Sequence, residues 1–368
     1  MQERSGGSVT DDSDRNTIWY TRCPLPTALS FAYRTGILAR HIEGSGFTLL
    51  SLKGAASREM RQSHFDNTLP GMIRQGGNVP PIWSRSKGRD IRLVGLSWTN
   101  EAQLVLTLPE TGIDTIAALR GRRLALPVRP NYPVDHWRAS VLSGYENVLS
   151  HAGLVLSDVT LVEIEIPDEG SEQREEADGS ALKMSRRSIS RSTLSAQRYE
   201  ARALIRGEVD ALFAPGHYGV ALSEFLGASV VADLSAEPDR LKKINNFTLL
   251  ALTMEGGLVD RDPDVAERIV IATLDAAEWA RRNAEEAARI VAAESGNAED
   301  LVTSIFGADF AGDLAPGFSD EQVDALERQI SALHRNGIIS AKIAASSWID
   351  RRLLEKATAR WSTGGRLA

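Results

Sequence analysis

"IRLVGLSWTNEAQLVLTL", residues 91–108, places two apolar runs almost back to back. Ile91–Trp98 is continuous in apolar character, the signature of a strand buried on both faces. Ala102–Leu108 is a second such run, and only Thr99, Asn100 and Glu101 stand between them. A chain that starts a new buried strand so soon is expected to pass from one sheet to another. Residue 103 is therefore read as the point where the chain leaves a first α/β lobe for a second.

Strand-like runs alternate with helical ones on both sides of this crossing. Upstream, Thr17–Thr21 and Gly46–Leu52 read as strands, and Leu25–Leu38 as a helix whose start is set by Pro24 and Pro26. Downstream come a short helix and strand in Thr115–Pro127, a helix over Tyr145–Ala152, and an alternating strand over Val159–Ile166. "YEARALIRGEVDALFAP", residues 199–215, gives a helix, a glycine stop at Gly207 and an apolar strand leading back toward the first lobe. From Pro263 onward the pattern is helical. The expected fold class is α/β and bilobed, with two α/β domains around a central cleft and a helical C-terminal tail. The expected bounds are a disordered tail at 1–16, a first lobe at 17–103 and 216–368, and a second lobe at 104–215. Within the latter, Pro167–Arg191 is acidic and then basic, and reads as a solvated loop. A cleft between lobes is where a small ligand is expected.

A net charge of -7 gives no basic footprint for nucleic acid or an anionic membrane. Apolar stretches fall short of the roughly 18 residues that span a bilayer. The polar N-terminus, "MQERSGGSVTDDSDRNT", lacks the apolar core of a signal peptide, so a cytoplasmic setting is expected. A single cysteine excludes an internal disulfide framework, and six scattered histidines show no metal-ligand spacing; no metal or cofactor is expected.

Cys23 falls between a strand and a helix start, at the sheet edge that faces the ligand crevice of open α/β folds. A helix N-terminus there favours a thiolate, although a lone cysteine is more often an inert buried thiol. The stretch "SHFDNTLPGMIRQGGNVPPIW", residues 63–83, gathers His64, Phe65, Arg74, Gly76 and Gly77. Imidazole moves protons near neutral pH, and a guanidinium fork grips a two-oxygen anion. Paired glycines let backbone amides approach such an anion. Each signal alone has a bland explanation: a polar histidine, a surface arginine, a turn. Together with the thiol they suit an acidic oxyanion substrate. Trp137 and His217 are further candidates for the cleft wall.

"YTRCPLP" (20–26), "SHFDN" (63–67), "PGMIRQGGNVPP" (70–81), "GEVDALF" (207–213), "GLVDRDPDVAERIV" (257–270) and "FGADF" (306–310) resemble the aromatic sulfinate desulfinases, the family of the last step of dibenzothiophene desulfurisation. The resemblance implies a type II periplasmic-binding-protein-like fold without metal or organic cofactor. It also implies hydrolysis of a small aromatic sulfinate to sulfite, in the cytoplasm, by a monomer. It assigns catalysis to Cys23, His64 and Arg74, and substrate binding to Gly76, Gly77, Phe65, Trp137 and Gly216. Thr193, Pro215, Gly216 and Tyr218 stand where the family carries larger apolar or aromatic wall residues. The alternative expectation is a cytoplasmic, non-catalytic binding or sensor protein for an aryl sulfonate-like anion.

Overall fold

The structure, a computed structural model, describes residues 16–55, 57–167 and 197–364. The expected N-terminal tail and nearly all of the expected charged loop, together with Thr193, lie outside the described residues. Ten strands are described: β1 (Thr17–Arg22), β2 (Thr48–Ser51), β3 (Met72–Gly77), β4 (Ile91–Trp98), β5 (Gln103–Thr107), β6 (Arg123–Val128), β7 (Thr160–Glu165), β8 (Leu212–Pro215), β9 (Ser229–Asp233) and β10 (Leu249–Glu255). The first lobe carries one sheet in the order β2-β1-β3-β10-β4. β1 runs parallel to β2 and β3, and β10 runs antiparallel to β3 and β4.

The second lobe repeats this plan. β5 is antiparallel to β8 and β9, and β6 is parallel to β7. A parallel bridge between Leu124 and Ala211 joins the two pieces, giving the order β7-β6-β8-β5-β9. In each sheet the antiparallel strand is the one that has just arrived from the other lobe. The chain crosses out through Thr99–Ala102 between β4 and β5, as the back-to-back apolar runs predict. It returns through residues 234–248, not at 215–216. The helix Gly216–Leu226 and β9 belong to the second lobe, because β9 completes that sheet against β5. Backbone pairing in the second sheet, and not the apolar run ending at Pro215, sets the boundary.

Side chains pin the two crossings together. Asn245 Nδ2 donates to Gln103 Oε1 at 2.9 Å, Gln103 Nε2 to the Lys243 carbonyl at 3.1 Å, and Lys243 Nζ to Asn100 Oδ1 at 2.6 Å. The Thr99 amide donates to the Thr248 carbonyl at 2.9 Å. These buried amides have few alternative partners, so the crossings hold a defined geometry at the floor of the cleft.

Apolar periodicity explains the layers. On one face of the first sheet, Leu29 and Phe31 pack with Ile269, Val270 and Leu274 from the long helix Pro263–Arg282. On the other, Val79 and Ile82 pack with Leu326 and Ile330 from helix Asp320–Arg335. The C-terminal helices are thus the covering layers of the first lobe. The expected helix over Leu25–Leu38 is two: Ala28–Arg34, capped by Thr27, and Ile37–Ile42. Gly36 at φ +74° breaks them, a conformation that ends an α-helix. Pro24 and Pro26 precede the first turn and leave Thr27 free to accept the Ser30 amide.

The second lobe closes around Phe213 and Tyr145, whose rings meet edge to face at 6.0 Å. Gly144, in helix His136–Ser150, lets the Phe213 ring lie flat on the helix backbone; a Cβ there would overlap the ring. Gly144→Ala should lower unfolding free energy by about 1–3 kcal/mol, the usual cost of overpacking, as measured by urea denaturation. An unchanged midpoint would mean that Phe213 has room to move.

Candidate active site

Cys23 leaves the end of β1 and sits 5% exposed at the base of the cleft. Its sulfur lies 4.0 Å from His64 Nε2 and 3.8 Å from the Arg74 guanidinium nitrogen Nη2. His64 projects from helix Arg58–Asp66, and Thr21 Oγ1 fixes its ring by contacting Nδ1 at 2.8 Å. Burial, with the nearby Arg74 charge, pushes the imidazole well below its ordinary range. At neutral pH it is therefore uncharged.

Arg74 is carried by β3 and is 1% exposed. Nε donates to the His64 carbonyl at 3.2 Å and Nη1 to the Gly77 carbonyl at 2.8 Å, which leaves Nη2 facing the thiol. Among the described residues no carboxylate pairs with it. Desolvation pulls its pKa down, and the neighbouring cysteine partly offsets this.

The two glycines act from behind these groups. A Cβ on Gly76 would overlap the Cys23 sulfur. A Cβ on Gly77 would come within 2.6 Å of Asn246 Oδ1. Neither glycine contributes to the cavity wall. Their small size brings the thiol and Asn246 close to β3.

The cavity above the thiol encloses about 140 Å³. Phe65 forms part of its rim in the first lobe and stacks at 5.4 Å on His136 of the second lobe, bridging the cleft. Trp137 meets Tyr218 edge to face at 5.2 Å and takes the Arg129 guanidinium over its ring at 4.9 Å. His217 lies 3.8 Å from Tyr218, ring to ring, and burial draws its pKa down to about 4. Gly216 lines the same wall at φ +58°. The predicted residues Cys23, His64, Phe65, Arg74, Trp137 and Gly216 all meet at this cavity.

Sequence reasoning missed Thr21, Glu101, His136 and Asn246. Asn246 comes from the returning crossing, and its Oδ1 accepts the Val79 amide at 2.9 Å. That bond orients the amide so that Nδ2, buried and unpartnered among the described residues, is its free donor. Glu101 lies in the outgoing crossing, 2% exposed, and desolvation alone raises its pKa to about 8. The only sequence signal for it is one acid between two fully apolar runs.

Glu101 has a consequence for stability. Between its ordinary pKa of 4.5 and about 8, the folded protein keeps a proton that the unfolded chain has lost. Stability therefore falls as pH rises through this window, by up to about 1.4 kcal/mol per unit. Glu101→Gln should remove that slope, so its advantage in unfolding free energy grows from about pH 5 to about pH 8. A constant difference across the range would mean that the carboxyl ionises freely.

No protein-family model matches the chain. It is 29% identical to 2'-hydroxybiphenyl-2-sulfinate desulfinase of Rhodococcus erythropolis, over 96% of this chain and 97% of that protein. Its fold superposes with a TM-score of 0.73 on a cysteine-to-serine variant of the desulfurization enzyme DszB in complex with biphenyl-2-sulfinic acid, at 27% identity over 94% of this chain and 99% of the other. The periplasmic aliphatic sulphonate binding protein SsuA of Escherichia coli gives a TM-score of 0.61 at 14% identity, over 91% of this chain and 92% of that one, and so shares the fold. By sequence and by architecture, over nearly its whole length, this chain is similar to 2'-hydroxybiphenyl-2-sulfinate desulfinase.

Proposed function

We propose that this protein hydrolyses the carbon–sulfur bond of an aryl sulfinate, 2'-hydroxybiphenyl-2-sulfinate or a related compound, to the arene and sulfite. One observation carries the reading. In a chain similar end to end to a desulfinase, the single thiol meets a neutral imidazole and a buried guanidinium that has no carboxylate partner among the described residues. The related enzyme holds biphenyl-2-sulfinic acid in a cysteine-to-serine variant. The one cysteine of the present chain lines its cavity.

Nη2 of Arg74 and Nδ2 of Asn246 supply the donors for the two sulfinate oxygens. Cys23 gives its proton to the ring carbon that carries sulfur. The C–S bond then breaks, its electron pair returns to the ring, and sulfur leaves as SO₂. Water adds to SO₂ to give hydrogensulfite and a proton, which returns to the thiolate through Nε2 of His64. The sum is one water consumed, with one arene and one hydrogensulfite formed. His64, held neutral by burial, accepts the returning proton, and Thr21 keeps its ring aimed at the sulfur. Gly77 contributes by clamping Arg74 through its carbonyl. A catalytic thiol suits a reducing compartment, and we place the protein in the cytoplasm.

Cys23→Ser should cut sulfite release from aryl sulfinates at least about a thousandfold while binding of biphenyl-2-sulfinate, measured by calorimetry, persists. Full turnover by the variant would overturn the assignment. Tight binding by the wild type with no sulfite from any aryl sulfinate would identify a receptor instead. Arg74→Lys should raise KM about tenfold or more, because an ammonium cannot keep both carbonyls and still meet the sulfinate.

A further inference from the structure

The desulfinase reading leaves one buried group in the cavity without a task. Oε1 of Glu101 has no hydrogen-bond partner among the described residues, although the side chain is almost wholly out of water. The fold makes space for it: a Cβ on Gly216 would come within 2.8 Å of Oε2. Trp137 Nε1, on the same wall, is likewise unpartnered and buried. Glu101, Tyr218 and Cys23 line the same cavity. A buried polar atom left unmet is costly, and a ligand that meets it recovers that cost.

The size of the cavity is the second observation. A cavity of about 150 Å³ takes one benzene ring; this one, partly open to the cleft, measures about 140 Å³. Its lining is largely apolar, and Glu101, His136, His217 and Tyr218 bring polar atoms to it.

We infer that the preferred substrate is a single-ring aryl sulfinate bearing a hydroxyl or amino substituent, which hydrogen-bonds to the Glu101 carboxyl. The inference rests on the desulfinase reading and narrows its substrate class. The sulfinate is held at Arg74, the ring lies against Trp137 and Tyr218, and the substituent faces Glu101. A carboxyl that keeps its proton at neutral pH both donates and accepts, so it suits a phenol or an aniline.

The test compares benzenesulfinate, its three hydroxy isomers and biphenyl-2-sulfinate by sulfite release, with wild type, Glu101→Leu and Glu101→Gln. The electronic effect of the hydroxyl on the C–S bond is common to all three proteins and cancels in the comparison. For the best isomer, the ratio of kcat/KM to that of benzenesulfinate should fall at least about tenfold in Glu101→Leu. Glu101→Gln, which keeps a donor and an acceptor, should hold most of the preference. A merely structural role would lower all rates together and leave the ratio alone. Should Glu101→Leu not fold, the methoxy analogue tested on wild type removes the same donor and should show the same loss. A ratio unmoved by either change overturns the inference, as does faster turnover of biphenyl-2-sulfinate than of every single-ring substrate. Both results leave the desulfinase reading standing. Absence of sulfite from all substrates overturns both.

Discussion

Arg74 is a guanidinium held out of water with two backbone carbonyls as partners and, among the described residues, no carboxylate beside it. Removing a cation from water is costly, and carbonyl dipoles offset only part of that cost. The fold accepts this arrangement because β3 is central in its sheet, between β1 and β10, and cannot turn the side chain outward. An anion that enters the cavity restores the missing charge. The site is therefore strained electrostatically until a ligand arrives, and binding is steep for anions with two oxygens that match the remaining donor edge.

The other features of the first lobe follow from this constraint. The cysteine lies at the end of β1, so that the parallel register Thr21–Arg74 and Arg22–Gln75 brings it alongside the arginine. Gly76 has to lack a side chain because the sulfur occupies its space. His64 reaches the thiol from a helix whose backbone carbonyl also accepts Arg74 Nε, so one local structure positions both groups. Burial, with the charge of the same guanidinium, keeps the imidazole neutral. A neutral base beside a thiol and a fixed cation is poised for proton return and adds no second charge to the pocket.

This half of the site is legible in sequence. Cys23, His64, Arg74 and the glycine pair lie within two short segments, and their residue types state their chemistry. The crossing at residue 103 is legible for a similar reason, since two buried runs with three polar residues between them have few other solutions. The return crossing is not. Nothing local distinguishes β9 from a strand of the first sheet, because its place depends on pairing with β5, more than a hundred residues earlier. Glu101 and Asn246 escape sequence reading on the same ground. They sit on the crossings, where the surroundings come from both lobes, and a lone acid or amide in a connecting segment reads as solvated until the fold buries it.

The division of labour between the lobes decides what the enzyme can select. On the proposed reading the first lobe recognises the sulfinate through charge, and that recognition is common to every aryl sulfinate. Discrimination among arenes has to come from the second lobe and the crossings, where apolar contact alone separates substrates by about 1–3 kcal/mol per methylene-sized change. An unmet carboxyl acts differently. A ligand without a partner for Glu101 leaves that group buried and unsatisfied, and a ligand with one removes the penalty, so the difference adds to any gain from shape. Gly216, which lacks a side chain where a Cβ would crowd the Glu101 carboxyl, keeps open the space in which that choice is made.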